Sequence, residues 1–193
     1  MSNISLIVGL GNPGKEYAQT RHNAGFWFVE QLADRYGINL KADPKFHGYS
    51  GRGQVEGHDV RLLLPTTFMN RSGQSVAPFA KFYQVAPESI LIAHDELDMD
   101  PGVIRLKTGG GHGGHNGLRD IVPHIGANFH RLRIGIGHPG AKERVSGHVL
   151  GKAPSSEQAL MDAAIAHALS QVKMLVSGQV PQAMNHINAY KPA

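Results

Sequence analysis

Cysteine is absent from the 193 residues of this sequence. Its absence excludes disulfide bonds and thiolate metal sites, and it suits a reducing cytoplasm. Long apolar runs are also missing, since no segment approaches the roughly 18 consecutive apolar residues of a membrane span. The first residues, "MSNISLIVGLGNPG", have no basic region before the apolar run and reach glycine too soon for a signal peptide. We therefore predict a cytoplasmic protein that does not associate with membranes.

Acidic residues are scarce in one part of the chain. Eight of the 19 lysines and arginines lie between Pro101 and Lys152, where only two of the 15 acidic residues occur. The net charge of +4 is therefore concentrated in this segment. A solvated basic face and a binding surface for a polyanion both fit this asymmetry, and composition alone does not separate them.

Apolar runs rich in Ile, Leu and Val alternate with segments of helical periodicity. The predicted strands are 4–10, 59–65, 89–95, 102–108 and 131–137. The predicted helices are 23–37, 72–84, 115–126, a long one from Ser155 to Gly178 that opens with the capping-box pattern Ser155-x-x-Gln158, and a short one from Pro181. Strands that alternate with helices predict an α/β sandwich, with a mainly parallel sheet covered on both faces. We find no repeat or linker, so residues 1–193 are predicted to form a single domain.

Two glycine patterns suggest phosphate binding but fit it poorly. "GLGNPG" (9–14) matches the G-x-G-x-x-G fingerprint of dinucleotide folds, yet Pro13 occupies the turn and eight residues intervene before helical periodicity begins. "GGGHGG" (109–114) precedes a predicted helix, but no Lys-Ser or Lys-Thr follows it, as a nucleotide-binding phosphate loop requires. Such a loop still lets backbone amides approach an anion closely.

Polar side chains follow several predicted strands, where α/β sheets place their sites. They are Asn12, His22, Asn70, Asp95 and Asn116. A neutral imidazole is well suited to accept a proton near pH 7, and a carboxylate can fix its tautomer. Amide side chains can donate to a developing oxyanion without adding charge. The set therefore fits activation of water, although each residue alone also fits an ordinary cap or turn.

A metal site is the competing interpretation of the same region. His22, His112, His115 and the acids of "HDELD" (94–98) could supply ligands. His112 and His115 lie in a glycine loop, however, and no known metal-binding spacing is present. We predict no metal and no cofactor.

Five segments, in this order, resemble the bacterial-type peptidyl-tRNA hydrolases. They are "LIVGLGNPGKEYAQTRHNAG", "LLLPTTFMNRSG", "ILIAHDELD", "GGGHGGHNGLRDI" and "FHRLRIGIGHPG", and the resemblance runs from about Ile4 to Ala189. It implies a monomeric, single-domain three-layer α/β/α sandwich with a mixed, mostly parallel sheet. It also implies hydrolysis of the ester between a peptide and the terminal ribose of tRNA.

The resemblance assigns roles to particular residues of this chain. It makes His22 the general base and Asp95 its partner. Asn12 and Asn70 would hold the substrate, and Asn116 would contact the peptide carbonyl or the attacking water. Tyr17, Phe68 and Met69 match residues that line the cleft. Lys107 and Arg133 match the residues that bind tRNA, and we add Arg105, Lys142 and Arg144 from their charge alone.

The sequence leaves open the roles of His112 and His115 and two rival functions. We expect His112 to support the glycine loop, while His115 could support the loop or contact RNA. An RNA-binding module without catalysis is one rival, but pure binding has no need of His22, Asp95 and the asparagines. A metal-dependent peptidase or hydrolase is the other. Small departures from the family pattern, in "IGANFHRLR" and at His148, suggest no further role.

Overall fold

The computed structural model describes residues 3–193 and is built on one seven-stranded sheet. The strands are β1 (Leu6–Gly9), β2 (Lys41–Asp43), β3 (Gly48–Val55), β4 (His58–Pro65), β5 (Ile90–Glu96), β6 (Ile104–Thr108) and β7 (His130–Gly135). The helices are α1 (Ala24–Arg35), α2 (Gly73–Phe82), α3 (Asn116–Ile125), α4 (Val145–Val149), α5 (Ser155–Ser170), α6 (Val172–Val176) and α7 (Val180–Asn188). Within residues 3–193, no helix combines the length and apolarity needed to cross a membrane.

The sheet is mixed, as predicted, with the order β2-β3-β4-β1-β5-β7-β6. The four central strands, β4, β1, β5 and β7, run parallel to one another. On one side β3 pairs antiparallel with β4 and β2, and on the other side β6 pairs antiparallel with β7. Parallel pairing is therefore confined to the centre of the sheet, where helices cover both faces. The carboxyl ends of β1, β4 and β5 consequently meet along one edge, which is where the candidate residues lie.

Alternating side chains of the central strands build a core on each face. Leu6 and Val8 of β1 pack with residues of α2 and α3, whereas Ile7 packs with residues of α1 and α5. The two clusters confirm the three-layer α/β/α sandwich.

All five predicted strands are present, but β2 and β3 were not predicted. β3 is interrupted by Gly51 and Gly53, which weaken its strand pattern. A Cβ at Gly51 would lie 2.8 Å from Ile38 and one at Gly53 would lie 2.7 Å from it, because the chain after α1 crosses over this strand.

The capping box predicted for α5 is wrong. Pro154 is the N-cap residue with extended backbone angles, so Ser155 already stands inside the helix and makes no capping hydrogen bond. A capping side chain acts from the N-cap position, one residue earlier. Gln158 instead donates to Asp162 one turn later, at 2.9 Å.

Glycines bring α1 unusually close to the sheet. A Cβ on Gly25 would lie 2.3 Å from the carbonyl oxygen of Ala93 in β5, and one on Gly9 would lie 2.3 Å from the carbonyl oxygen of Gly25. Such distances are not reached by real Cβ atoms, so only glycine permits this approach. The approach places the residues that precede α1 directly against the carboxyl end of β5.

Candidate active site

His22 and Asp95, 73 positions apart in sequence, form a hydrogen-bonded pair. His22 lies in a short 3-10 turn, Arg21–Asn23, that leads into α1, and Asp95 lies near the carboxyl end of β5. The Nδ1 of His22 and the Oδ2 of Asp95 are 2.8 Å apart. Both residues are largely shielded from solvent, His22 at 8% exposure and Asp95 at 3%. With Nδ1 engaged by the carboxylate, Nε2 is the nitrogen left for other chemistry.

His115 makes a second hydrogen bond to the same carboxylate. Its Nε2 lies 2.8 Å from the Oδ1 of Asp95. Its Nδ1 accepts from the backbone N–H groups of Gly117 and Leu118, so the ring is also the N-cap of α3. A nitrogen that accepts carries no proton, and in a neutral imidazole the other nitrogen must then be the donor. His115 is therefore neutral, with its proton on Nε2 and directed at Asp95.

The environment of the pair shifts both pKa values. Burial lowers the pKa of His22, but the Asp95 carboxylate outweighs burial and holds the pKa above its ordinary value. Burial raises the pKa of Asp95, but His22 and His115 outweigh it and hold the pKa well below its usual range. Asp95 is thus ionised across the physiological range, and His22 is the member of the pair that can gain or lose a proton.

His94, next to Asp95 on β5, extends the cluster inward. Its Nδ1 donates to the backbone carbonyl of Asp95 at 2.8 Å, and its ring lies 4.9 Å from that of His115. Burial, together with His115, lowers the pKa of His94 to about 3. His94 is consequently a neutral core residue. Its buried Nε2 has no partner among residues 3–193.

The side chain of Asn12 is fixed by its neighbours. Its Oδ1 accepts from the backbone N–H of Met69 at 2.7 Å, and its own backbone N–H and carbonyl bond the side chain of Asn23. The Nδ2 of Asn12 is left as a donor at the cleft that the residue lines. Phe68, which directly precedes Met69, has a φ of 60°, which is rare outside glycine. The bond from Asn12 to Met69 supports this strained turn. Sequence reasoning missed Asn23, although it directly follows His22.

The predicted substrate residues converge on one cleft, except that Tyr17 lies beside it. The cleft has a volume of about 470 Å³, and its walls include the following side chains: Asn12, His22, Phe68, Met69, Asn70, Asp95, Asn116, Val145, Val149 and Leu150. Tyr17 instead packs edge-on against Phe68, with ring centres 6.2 Å apart. Phe68 is 53% exposed, so an aromatic face is open at the mouth. The wall at α4, formed by Val145, Ser146, Val149 and Leu150, is mostly apolar and was not predicted.

Three of the five predicted basic residues, Arg105, Lys107 and Arg133, lie on β6 and β7 at one edge of the sheet. Arg105 stands directly opposite Arg133 across these antiparallel strands, and Lys107 stands opposite Arg131. Like charges directly opposite one another destabilise a sheet, so the arrangement is costly unless an anion binds there. Glu96 offsets part of the charge by accepting from the Nε of Arg133 at 3.0 Å. Lys142 and Arg144 lie apart from this edge, exposed in the 3-10 turn before α4.

Arg131 differs from the neighbouring basic residues because its charge binds other parts of the same chain. It is buried, its guanidinium stacks on Phe129 at 4.4 Å, and it donates to the backbone carbonyls of Gly110, Gly111 and Ala127. One of the eight positive charges of the basic segment therefore holds the glycine loop and is not available to a partner.

His22, Asp95 and His115 also lie close enough together to be considered as metal ligands. The donor set fits a hydrogen-bonded cluster better. The Nε2 of His115 carries a proton because Nδ1 is engaged with α3, and a metal at that nitrogen would require the ring to leave the helix or to become an imidazolate. His112 lies outside the group, with its Nδ1 accepting from the N–H of Gly114 within the loop.

Fold and site together define an α/β sandwich protein with a histidine–aspartate pair at the carboxyl ends of parallel strands. The family model for peptidyl-tRNA hydrolase matches residues 6–193, and the chain belongs to that family. It is 88% identical over 193 residues to a peptidyl-tRNA hydrolase of Acinetobacter baumannii, with both chains fully covered. It is 62% identical over 188 residues to one of Psychrobacter cryohalolentis, covering 97% of each chain. A crystal structure of peptidyl-tRNA hydrolase from Acinetobacter baumannii superposes with a TM-score of 0.99, covering 100% of this chain and 98% of the other at 88% identity.

Proposed function

We propose that this protein hydrolyses the ester bond between the peptide and the terminal ribose of peptidyl-tRNA, releasing tRNA and peptide. The single observation that carries the proposal is the pairing of His22 with the ionised Asp95 inside a cleft. Family membership supplies the substrate class, and the cleft residues supply the roles.

His22 acts as the general base in the proposed reaction. Its Nε2 takes a proton from water, and the water oxygen bonds to the ester carbonyl carbon. Asp95 holds Nδ1 and stabilises the imidazolium that forms. When the bond between carbon and ribose oxygen breaks, the imidazolium returns the proton to that oxygen. Every atom and proton is accounted for without a covalent enzyme intermediate, and no metal or cofactor is invoked.

Asparagine side chains position the acyl group. The Nδ2 of Asn12 is a donor held in place through Oδ1, so it suits a substrate carbonyl or the developing oxyanion. Asn70 and Asn116 line the same cleft as Asn12, and Asn116 would contact the peptide carbonyl or the attacking water. A requirement for hydrogen bonds to a peptide group is a physical basis for choosing peptidyl-tRNA over aminoacyl-tRNA. Phe68 and Met69, with Tyr17 behind Phe68, offer apolar contact at the mouth.

The tRNA is proposed to lie against the cationic edge of the sheet. Lys107, Arg105 and Arg133 would contact its phosphates, and Lys142 and Arg144 would add charge beside α4. We also propose that the chain works as a monomeric, single-domain enzyme in the cytoplasm. The lack of cysteine suits that compartment, and one chain supplies every residue assigned a role.

A defined peptidyl-tRNA and the matching aminoacyl-tRNA test the proposal, each incubated with and without a chelator. We expect release from peptidyl-tRNA only, at the same rate after chelation. His22→Ala should lower the rate by about 10²–10⁴-fold, the usual contribution of a general base. A folded His22→Ala protein with wild-type turnover would remove His22 from this role. Binding of tRNA without any release would favour the RNA-binding module, and loss of activity on chelation would favour the metal-dependent hydrolase.

A further inference from the structure

His115 connects the carboxylate of Asp95 to the amino end of α3. The ring donates from Nε2 to Asp95 and accepts at Nδ1 from two backbone amides of the helix. A free imidazole can place its proton on either nitrogen, whereas these amides leave only one choice. The helix therefore fixes the tautomer, and the tautomer fixes the direction of the hydrogen bond to Asp95.

We infer that His115 is a positioning residue for the hydrolysis, acting through Asp95 on His22. The inference rests on the proposed function and adds a residue to it. Asp95 has two oxygens, of which Oδ2 faces His22 and Oδ1 faces His115. With Oδ1 held, the carboxylate cannot rotate without breaking a charge-assisted hydrogen bond in a nearly dry site. Oδ2 thus stays aligned with the Nδ1 of His22, and the Nε2 of His22 stays aimed into the cleft.

His115 also determines how much of the carboxylate charge acts on His22. A donor at Oδ1 draws negative charge away from Oδ2, so it weakens the attraction that a protonated His22 feels. Removing this donor concentrates the charge on the side of His22 and favours its imidazolium form. The charged and titratable groups around the pair are His22 in the 3-10 turn, His94, Asp95 and Glu96 on β5, and Arg131 on β7. Among these, His94 is held neutral by burial, and Glu96 and Arg131 are engaged with Arg133 and the glycine loop.

The same ring couples the base to the glycine loop. His115 follows Gly113 and Gly114, which have φ angles of 59° and 82°, and Asn116 of the cleft follows it directly. A ligand that shifts this loop therefore acts on the hydrogen bond to Asp95. His115 thus connects the pair of His22 and Asp95 to the glycine loop. Arg131 binds the carbonyl of Gly110 in that loop, close to the side chain of Lys107.

Two variants separate the cap from the donor. In His115→Asn the short side chain can cap α3 well, because asparagine is a favoured N-cap residue, but it cannot reach Asp95. In His115→Gln the amide nitrogen lies near the position of Nε2 and can donate to Asp95, while the cap is lost. If His115 only caps α3, His115→Asn should turn over faster than His115→Gln. If His115 positions Asp95, His115→Gln should turn over faster than His115→Asn.

We expect His115→Asn to keep a melting temperature near that of the wild type and to lose about tenfold in kcat, the factor of one hydrogen bond to a charged group. The acidic limb of its pH–rate profile should move to higher pH, since the pKa of His22 rises. His115→Gln should melt about 2–4 °C lower, as expected for a lost cap in a chain of this size, yet recover most of the turnover that His115→Asn loses.

NMR titration of the His22 ring in the free proteins provides a readout that needs no substrate. A pKa of His22 that is equal in the wild type and His115→Asn, with turnover within twofold, would overturn the positioning role. If the titration shifts while the wild type fails to cleave peptidyl-tRNA, the proposed function falls and the action of His115 on His22 stands. If the wild type cleaves and His115→Asn does so equally well, only the inference about His115 falls.

Discussion

The Nη2 of Arg131 lies 2.6 Å from the carbonyl oxygen of Gly110, and the same guanidinium binds the carbonyls of Gly111 and Ala127. A buried cation thus closes the base of the glycine loop by serving three backbone acceptors at once. Each acceptor would otherwise need another partner. The loop has little side-chain packing of its own, so this arginine is one of the main contacts that define its shape.

Arg131→Lys should therefore destabilise the protein although it keeps the charge. Lysine cannot serve three acceptors in the planar geometry of the guanidinium, and it gives up the stacking on Phe129. Loss of about 2 kcal/mol corresponds to a melting temperature about 5 °C lower in a chain of this length. Arg35→Lys, at an exposed position at the end of α1, is the control and should melt like the wild type. A melting temperature of Arg131→Lys equal to that of the control would show that the loop is held by other contacts.

Sequence patterns could not separate Arg131 from Arg133. Both stand in "RLR" of β7, two residues apart, and local sequence gives them the same expectation of exposure. The difference arises from Phe129 and from a loop about 20 positions earlier in the chain, so it depends on tertiary packing. Arg133, by contrast, remains partly exposed beside Glu96.

The candidate site shows the same division between local and non-local information. His22 and Asp95 could be singled out because Asp95 ends a predicted strand and His22 begins the helix that follows another, where α/β sheets place their sites. The dual role of His115 could not, since it requires knowing that α3 begins beside β5. β3 was missed because glycine is required at positions 51 and 53, where Ile38 and Asn39 pass too close for a side chain. No strand pattern in the sequence indicates this crossing.

Lys107 is exposed on the edge strand β6, and its removal should weaken tRNA binding mainly through electrostatics. Each phosphate contact that is lost lowers the slope of log Kd against log salt concentration by about one. We expect this reduction for Lys107→Gln, with unchanged hydrolysis of a short ester substrate. Lys173→Gln removes one charge from α6, and its slope should equal that of the wild type. Equal slopes for both variants would place the phosphates elsewhere, and a loss on the short ester would place Lys107 in the acyl site.

Asp95→Asn should lower the pKa of His22 below its ordinary value. In the wild type burial lowers this pKa and the carboxylate outweighs burial, so loss of the charge leaves burial as the main influence. His22 would then be neutral over a wider pH range but misaligned, and we expect kcat to fall by about 10²–10⁴-fold. NMR titration of His22 and a pH–rate profile measure the two effects separately. Asp98→Asn, exposed and three residues along, is the control. An unchanged His22 titration in Asp95→Asn would mean that the pair does not form in solution.

Gly25→Ala tests whether the approach of α1 to the sheet sets the distance between His22 and Asp95. The new methyl group would lie 2.3 Å from the carbonyl oxygen of Ala93 and 2.6 Å from the amide nitrogen of Leu10, so the start of α1 must move outward. His22 precedes α1 by two residues and must move with it, whereas Asp95 stays on β5. We expect a loss of stability of about 1–3 kcal/mol from overpacking and a fall in kcat that exceeds the effect on tRNA binding. The control is Gly147→Ala in α4, where a Cβ meets nothing within 4 Å and stability should be preserved. Thermal melting, tRNA affinity and single-turnover hydrolysis would be measured on both variants. If Gly25→Ala melts lower but hydrolyses at the wild-type rate, the pair tolerates the displacement, and the close packing of α1 serves stability alone.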